Sequence, residues 1–262
     1  MSVFQKPVFS MLLYCLLPVS IAAAQSASEK QAQQPIPSGG NFLGIGMGAF
    51  PKTSGSSDLR LMVLPVVQYS WANVAYVSGL KAGVWGYTSN NSSLRLGLYA
   101  EPRFGYNASD NPRTAGMADR DFAVDAGPSI RWTTPAGVVN FDYGFDITGR
   151  SNGQSAQMQF IRPLVTGEGF RLNGLVGAAW QNAAMNNYYW GMRASETSDG
   201  LARNVGAGVG YSAGLTGLYS VGSNGAMFFG ASINRLSDAQ ANSPIAERSY
   251  TPLIYLGYGW RM

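Results

Sequence analysis

The sequence predicts an all-β fold: a single antiparallel transmembrane β-barrel of about 12 strands, with short turns at one end and longer loops at the other. Three observations predict it. Apolar and polar residues alternate with a period of two over long stretches of residues 41–262. Charged residues make up only 12% of the chain while 33 residues are glycine, a balance too apolar for disorder and too rich in glycine for a helical bundle. Beyond the first 24 residues no apolar run approaches the roughly 18 residues that a spanning helix needs, so any crossing must use strands.

Residues 1–24 read as a cleavable signal peptide, with Lys6 ahead of an apolar stretch at 8–19 and the small residues Ala22, Ala23 and Ala24 before an expected cut at Gln25. The single cysteine, Cys15, falls inside it, and Leu12-Leu13-Tyr14 lacks the small residue that a lipoprotein signal places before its cysteine. The mature chain therefore has no thiol and forms no disulfide. Without Lys6 the balance is 17 basic against 14 acidic residues, a net charge of +3 that does not suggest nucleic acid. Residues 25–40, rich in Gln, Ser, Ala and Pro, read as a flexible periplasmic leader, and the barrel is expected over 41–262.

Twelve strands are expected: 41–50, 59–69, 74–78, 81–87, 94–106, 119–132, 138–148, 155–165, 169–180, 203–218, 226–236 and 248–262. An even number returns both ends of the barrel to the same side. Long loops at 107–118, 181–203 and 237–247 then lie outside, while 133–137 and 221–225 are tight inner turns. Pro65 and Pro163 would each remove a ladder donor from a strand. At Gly79-Leu80 the pattern allows either a turn or a strand that runs through.

The two faces carry different chemistry. In the fifth strand Leu94, Leu96, Leu98, Ala100, Pro102 and Phe104 oppose Arg95, Gly97, Tyr99, Glu101, Arg103 and Gly105. In the next two, Val124, Ile130, Trp132, Val139, Phe141 and Phe145 oppose Asp121, Asp125, Arg131, Asn140, Asp142 and Asp146. A soluble sandwich also alternates. Here, however, the apolar face ends in aromatics (Tyr106, Trp132, Trp180 and Trp260), as a lipid-facing girdle does, and the chain has only four lysines. Inward glycines, as in Leu43-Gly44-Ile45-Gly46-Met47-Gly48 and 205–215, relieve crowding where strands curve. No Lys-Ser/Thr pair or helix start follows them, so they are not a phosphate loop.

The lumen is expected to hold a charge network of Arg95, Glu101, Arg103, Asp121, Asp125, Arg131, Asp142 and Asp146. Asp125 and Asp146 would face each other across neighbouring strands, which on paper is a paired-carboxylate site; neutralisation by Arg103 and Arg131 is the simpler reading. The chain has no histidine, which removes the usual general base, and with no mature cysteine a transition-metal site is not expected. We expect no catalytic residue, no cofactor and no metal. Arg113, Arg120, Arg150, Arg193, Arg203 and Arg248 lie in or beside the outer loops, where guanidinium groups suit lipopolysaccharide phosphates, although ordinary solvated loop charge is the simpler reading.

Several tracts resemble the MipA/OmpV family of outer-membrane proteins, whose namesake interacts with the lytic transglycosylase MltA: Leu59-Arg60-Leu61-Met62-Val63-Leu64-Pro65 before Tyr69, Leu94-Arg95-Leu96-Gly97, Tyr188-Tyr189-Trp190-Gly191-Met192, and Arg235-Leu236 leading through Asp238-Ala239 to Asn242-Ser243-Pro244-Ile245. Their order agrees over the chain from Asn41. The segment 193–200 is more polar than the family's, and Met262 replaces the usual terminal aromatic. The resemblance implies a scaffolding barrel of the Gram-negative outer membrane that tethers murein hydrolase and synthase, a lytic transglycosylase and a penicillin-binding protein. The alternative is a narrow channel for small solutes, since barrels of this strand number lie between filled and open ones. Tyr258, Trp260 and Met262 on the last strand are the expected signal to the barrel-assembly machinery, and membrane lipid is the expected surrounding.

Overall fold

The computed structural model describes residues 41–53 and 55–262; the segments read as signal peptide and leader lie outside the described residues. Twelve strands follow one another: β1 (Phe42–Pro51), β2 (Leu59–Trp71), β3 (Ala75–Ser78), β4 (Lys81–Thr88), β5 (Leu94–Arg103), β6 (Ala123–Thr134), β7 (Gly137–Asp146), β8 (Gln154–Gly167), β9 (Phe170–Gln181), β10 (Gly208–Val221), β11 (Gly225–Arg235) and β12 (Tyr250–Arg261). Each pairs antiparallel with its neighbours in sequence, and β1 pairs with β12 from Phe42↔Arg261 to Ala49↔Ile254, closing the barrel. Two helices, α1 (Ala183–Trp190) and α2 (Asp238–Ala241), sit in the long loops. None of the described helices is long and apolar enough to span a membrane.

The alternation becomes a lipid-facing belt. Leu43, Ile45, Met47, Leu61, Val63, Leu96, Leu98, Val176, Leu215, Ile254 and Leu256 all stand exposed on the outer wall, which only an apolar surrounding makes favourable for so many contiguous groups. Trp71, Trp132, Tyr219 and Trp260 ring the short-turn end; Tyr211 and Tyr250 stand near the long-loop end. Tyr106 departs from the expected girdle. It is buried beneath the loops, because β5 stops at Arg103 and Tyr106 bridges back to Arg120 instead of continuing in the wall.

Both prolines find positions that need no donor. Val67 accepts from the Gly79 amide, so by the strand's alternation the backbone groups of residues 59, 61, 63 and 65 point to that same side, above the end of the four-residue β3. Pro65, with no N–H, thus faces an edge where no described strand pairs with β2. Pro163 adjoins a register shift between Pro163 and Val165 on the β8–β9 ladder. Gly79-Leu80 proves to be a real reversal, with Ser78 paired to Lys81.

Inside, the lumen is divided. Phe42, Leu218, Ala226 and Phe228 form one apolar cluster, and Phe50, Met62 and Leu253 another, with Tyr255 against both. This side, walled by β1, β2 and β10–β12, adds buried apolar side chains to the glycines and charges expected of the inner face. Glycine makes it possible: any Cβ at Gly257 would strike the Phe228 ring, and one at Gly230 would strike the Tyr255 ring. The buried ion pairs Lys81–Asp142 and Arg103–Asp125 lie on the opposite side, along β4–β7.

Met262 and Trp260 both remain exposed outside the wall, and the Met262 amide donates to Asn41. Tyr258 and Trp260 contact edge to face, with ring centres 5.2 Å apart. We expect Trp260→Ala to lower the heat-modifiable, membrane-inserted fraction severalfold, while Met262→Phe leaves it unchanged; normal insertion of Trp260→Ala on semi-native gels would refute the role given to this end.

Candidate functional site: a capped lumen

A buried ion pair joins the long-loop ends of β5 and β6. Arg103 donates through Nη2 (2.7 Å) and Nε (3.2 Å) to Asp125 Oδ2, with both side chains at 1% exposure or less. The Tyr189 ring lies 5.4 Å from the guanidinium carbon. Below it Lys81 pairs with Asp142, whose carboxylate also accepts from Ser129 Oγ (2.6 Å) and Gln157 Nε2 (3.0 Å). The Lys81 ammonium stands 4.3 Å from the centre of the Tyr99 ring, and Glu101 is buried on the same wall. Lys81 was not among the expected network residues, because the turn that aims it inward was the ambiguous one.

The remaining expected members are placed differently. Asp121 lies outside the lumen, exposed among the long loops and 3.1 Å from Arg150. Asp146 is the strand partner of Asp125, but its carboxylate turns to its own loop and accepts from Thr148, Ser151 and Asn152. The facing-carboxylate site is therefore not assembled: Asp125 is held by Arg103 and Asp146 caps a turn. Arg131 reaches neither. It stands opposite Arg95 in the β5–β6 register, and among the described residues neither guanidinium has an ion-pair partner.

These groups border a cavity of about 370 Å³ in the polar half of the lumen. Lys81, Arg95, Arg131, Glu101 and Asp142 supply its charges; Asn140, Gln157 and Gln159 its amides; and Tyr76 and Trp85, stacked with ring centres 4.8 Å apart, its aromatic wall. Asn41, Ser70, Ser92 and Thr133, at or beside the short-turn ends of their strands, also line it, so the cavity extends to that end.

At the other end the loops form a plug. Tyr106, Met117, Met185, Tyr189, Trp190, Val205, Leu236 and Ile245 share one buried cluster although they come from three loops far apart in sequence. α1 starts at Asn182, whose side chain accepts from the Met185 amide, and ends against Gly191. α2 starts with a capping box between Ser237 and Gln240. Gln240 Nε2 then donates to Gln181 and Asn186, both at 3.0 Å, and Ser243 Oγ donates to the Trp190 carbonyl at 2.5 Å. Arg120 reaches across the interface, donating to both Glu196 oxygens at 2.9 Å and to the Tyr188 and Gly191 carbonyls. The sequence showed these segments only as long loops; Asn182 ahead of Ala183-Ala184-Met185 and the Ser237–Gln240 spacing were the available signals of order.

A family profile described as MltA-interacting protein MipA matches residues 43–262, which is the whole barrel from the second residue of β1. The chain belongs to this family. The MltA-interacting proteins of Escherichia coli (strain K12) and Shigella flexneri are each 25% identical to it over 251 residues, covering 94% of this chain and 98% of theirs. Of the tracts that carry the family resemblance, residues 188–192 close α1 and build the plug, and residues 59–65 form the outer half of β2.

The plug also decides what the loop arginines do. Arg120 is buried against Glu196, Arg113 donates to the Pro244 and Ala246 carbonyls, Arg203 pairs with Asp199 and Arg150 with Asp121. Only Arg120 of the six is buried; the exposed Arg113, Arg150 and Arg203 are nonetheless engaged by loop groups, Arg193 lies 3.9 Å from Glu196, and Arg248 is exposed. Burial alone would raise the Glu196 carboxyl, but the Arg120 guanidinium and the Arg193 and Ala118 amides outweigh it and hold it down to about 2 from its ordinary 4.5. A depressed carboxyl contributes stability above its unfolded value and loses it as pH falls through the folded one. The plug is therefore expected to loosen between about pH 4.5 and about pH 2, read as rising pepsin cleavage within residues 182–207. In Glu196→Gln that acid-dependent step is lost; a flat wild-type profile across the window would contradict the assignment.

Proposed function

We propose that this chain is a cell outer-membrane protein, exported through residues 1–24, whose barrel serves as a scaffold for murein-processing enzymes at its periplasmic end. The family membership over residues 43–262 carries this reading, because the relatives from Escherichia coli and Shigella flexneri are named for interaction with MltA. In this reading a lytic transglycosylase binds the chain and a penicillin-binding protein joins it, so that glycan cleavage and synthesis are held together. The closed long-loop end supports a binding role over conduction: a plug with its own hydrophobic core is not the lining of a solute path. The short-turn end, with the exposed rims of β2 and β12, is the surface a periplasmic enzyme would meet.

The test is affinity capture. Tagged full-length protein, solubilised from envelopes of its own cells, is expected to retain a transglycosylase of the MltA kind and, through it, a penicillin-binding protein. Repeated recovery of neither, under conditions that keep the barrel folded on semi-native gels, would overturn the scaffold reading.

A further inference from the structure

Arg95 and Arg131 are the unresolved feature of the lumen. They sit directly opposite each other on β5 and β6, both half-buried and both lining the cavity, with no carboxylate in ion-pair reach among the described residues. Side by side, two guanidinium groups repel, and the repulsion grows as the surroundings become less watery. Two other inward cations are each neutralised: Arg103 has Asp125, and Lys81 has Asp142. The cavity lining holds three cations (Lys81, Arg95 and Arg131) against two acids (Glu101 and Asp142), an excess of one positive charge located at the arginine pair.

The rest of the wall specifies more than an anion. Tyr76 and Trp85 stack parallel at 21° and both border the cavity, offering a flat apolar surface. Asn140 and Gln159 also line the cavity with amide donors and acceptors, and Gln157 and Ser129, whose donors go to Asp142, add acceptor oxygens, a set that hydroxyl and acetamido groups match. The volume, about 370 Å³, suits one or two sugar rings. Access is from the short-turn end, since the plug closes the other.

We propose that the cavity is a binding site for a small carboxylated saccharide, its carboxylate bridged by Arg95 and Arg131 and its ring laid against the Tyr76–Trp85 pair. The carboxylate accepts from both guanidinium groups at once, which turns the repulsive pair into an attractive one. The site is distinct from the scaffold reading, because it requires only the isolated barrel and no protein partner.

The experiment is calorimetric titration of the purified, folded full-length protein with two matched pairs of probes: N-acetylmuramate against N-acetylglucosamine, and glucuronate against glucose. Within each pair the members differ by the carboxylate-bearing group. The proposal expects at least one acidic sugar to bind tenfold or more tighter than its neutral counterpart, and the pair that does so tells a wall-derived sugar from a uronic acid. Arg95→Gln with Arg131→Gln should erase that preference at least tenfold, while Arg171→Gln, at the short-turn end of β9 and outside the cavity, should not. Acetate and inorganic phosphate complete the series: either binding as tightly as the acidic sugar would reduce the site to a bare anion site and overturn the saccharide assignment. No measurable binding of either acidic sugar, or binding indifferent to the double substitution in a barrel that still shows heat modifiability, would overturn the proposal as a whole.

Discussion

Arg103→Met is expected to destabilise the barrel by about 3–5 kcal/mol, because it removes from the buried Asp125 carboxylate both hydrogen bonds that Arg103 donates, at the long-loop end of β5 and β6. The figure follows from the geometry of the pair. Both side chains are shut away from water, and removing one partner of such a pair costs far more than the pair itself contributes. The same argument gives the opposite expectation for the double change. Arg103→Met with Asp125→Leu should recover most of the loss, since it replaces a buried ion pair with apolar groups that can pack. Urea unfolding in phospholipid vesicles, followed by tryptophan fluorescence, measures both. A single variant within about 1 kcal/mol of wild type, a cost expected of exposed pairs, would show that water reaches this pair.

The second large effect is confined to the plug. Trp190 is fully buried at the end of α1, and its truncation to alanine is expected to cost about 3–5 kcal/mol of local packing while leaving the strand ladders intact. The loss is borne by the loops. Trp190 joins Met185, Val205 and Ile245 across two loops, and its carbonyl receives Ser243, so its removal uncouples the 182–207 segment from the 236–249 segment. Limited proteolysis should then cut within 182–207 at least tenfold faster than in wild type, with unchanged heat modifiability. Equal cutting rates would show that the plug does not depend on its core.

How much of this was legible in the sequence depends on how local each feature is. The strands were, because closing a sheet around an axis imposes a period of two on every residue, and tracts such as residues 94–103 and 254–260 display it without interruption. The Arg103–Asp125 pair was legible too, being a product of one alternation applied to two adjacent strands. The plug was not. Tyr106, Trp190 and Ile245 are brought together only by tertiary packing of loops, and a buried loop aromatic looks in sequence like an exposed one. Nor was the apolar half of the lumen, since inward Phe228 and Phe50 follow the same alternation as outward leucines with only the side reversed. Asp121 was assigned inward by extending β6 four residues too far; the strand begins at Ala123, and the residue before it already belongs to the loops. Lys81 was missed because its direction depends on a two-residue reversal at Gly79-Leu80 that either reading of the periodicity allowed.

A capped barrel that binds rather than conducts is the centre of this account, and single-barrel recording in planar lipid bilayers tests it most directly. The wild-type protein is predicted to insert without stepwise conductance, and a variant lacking residues 183–206 to open a path at the long-loop end and give steps. Reproducible, steady conductance steps from the intact wild-type barrel would contradict the account.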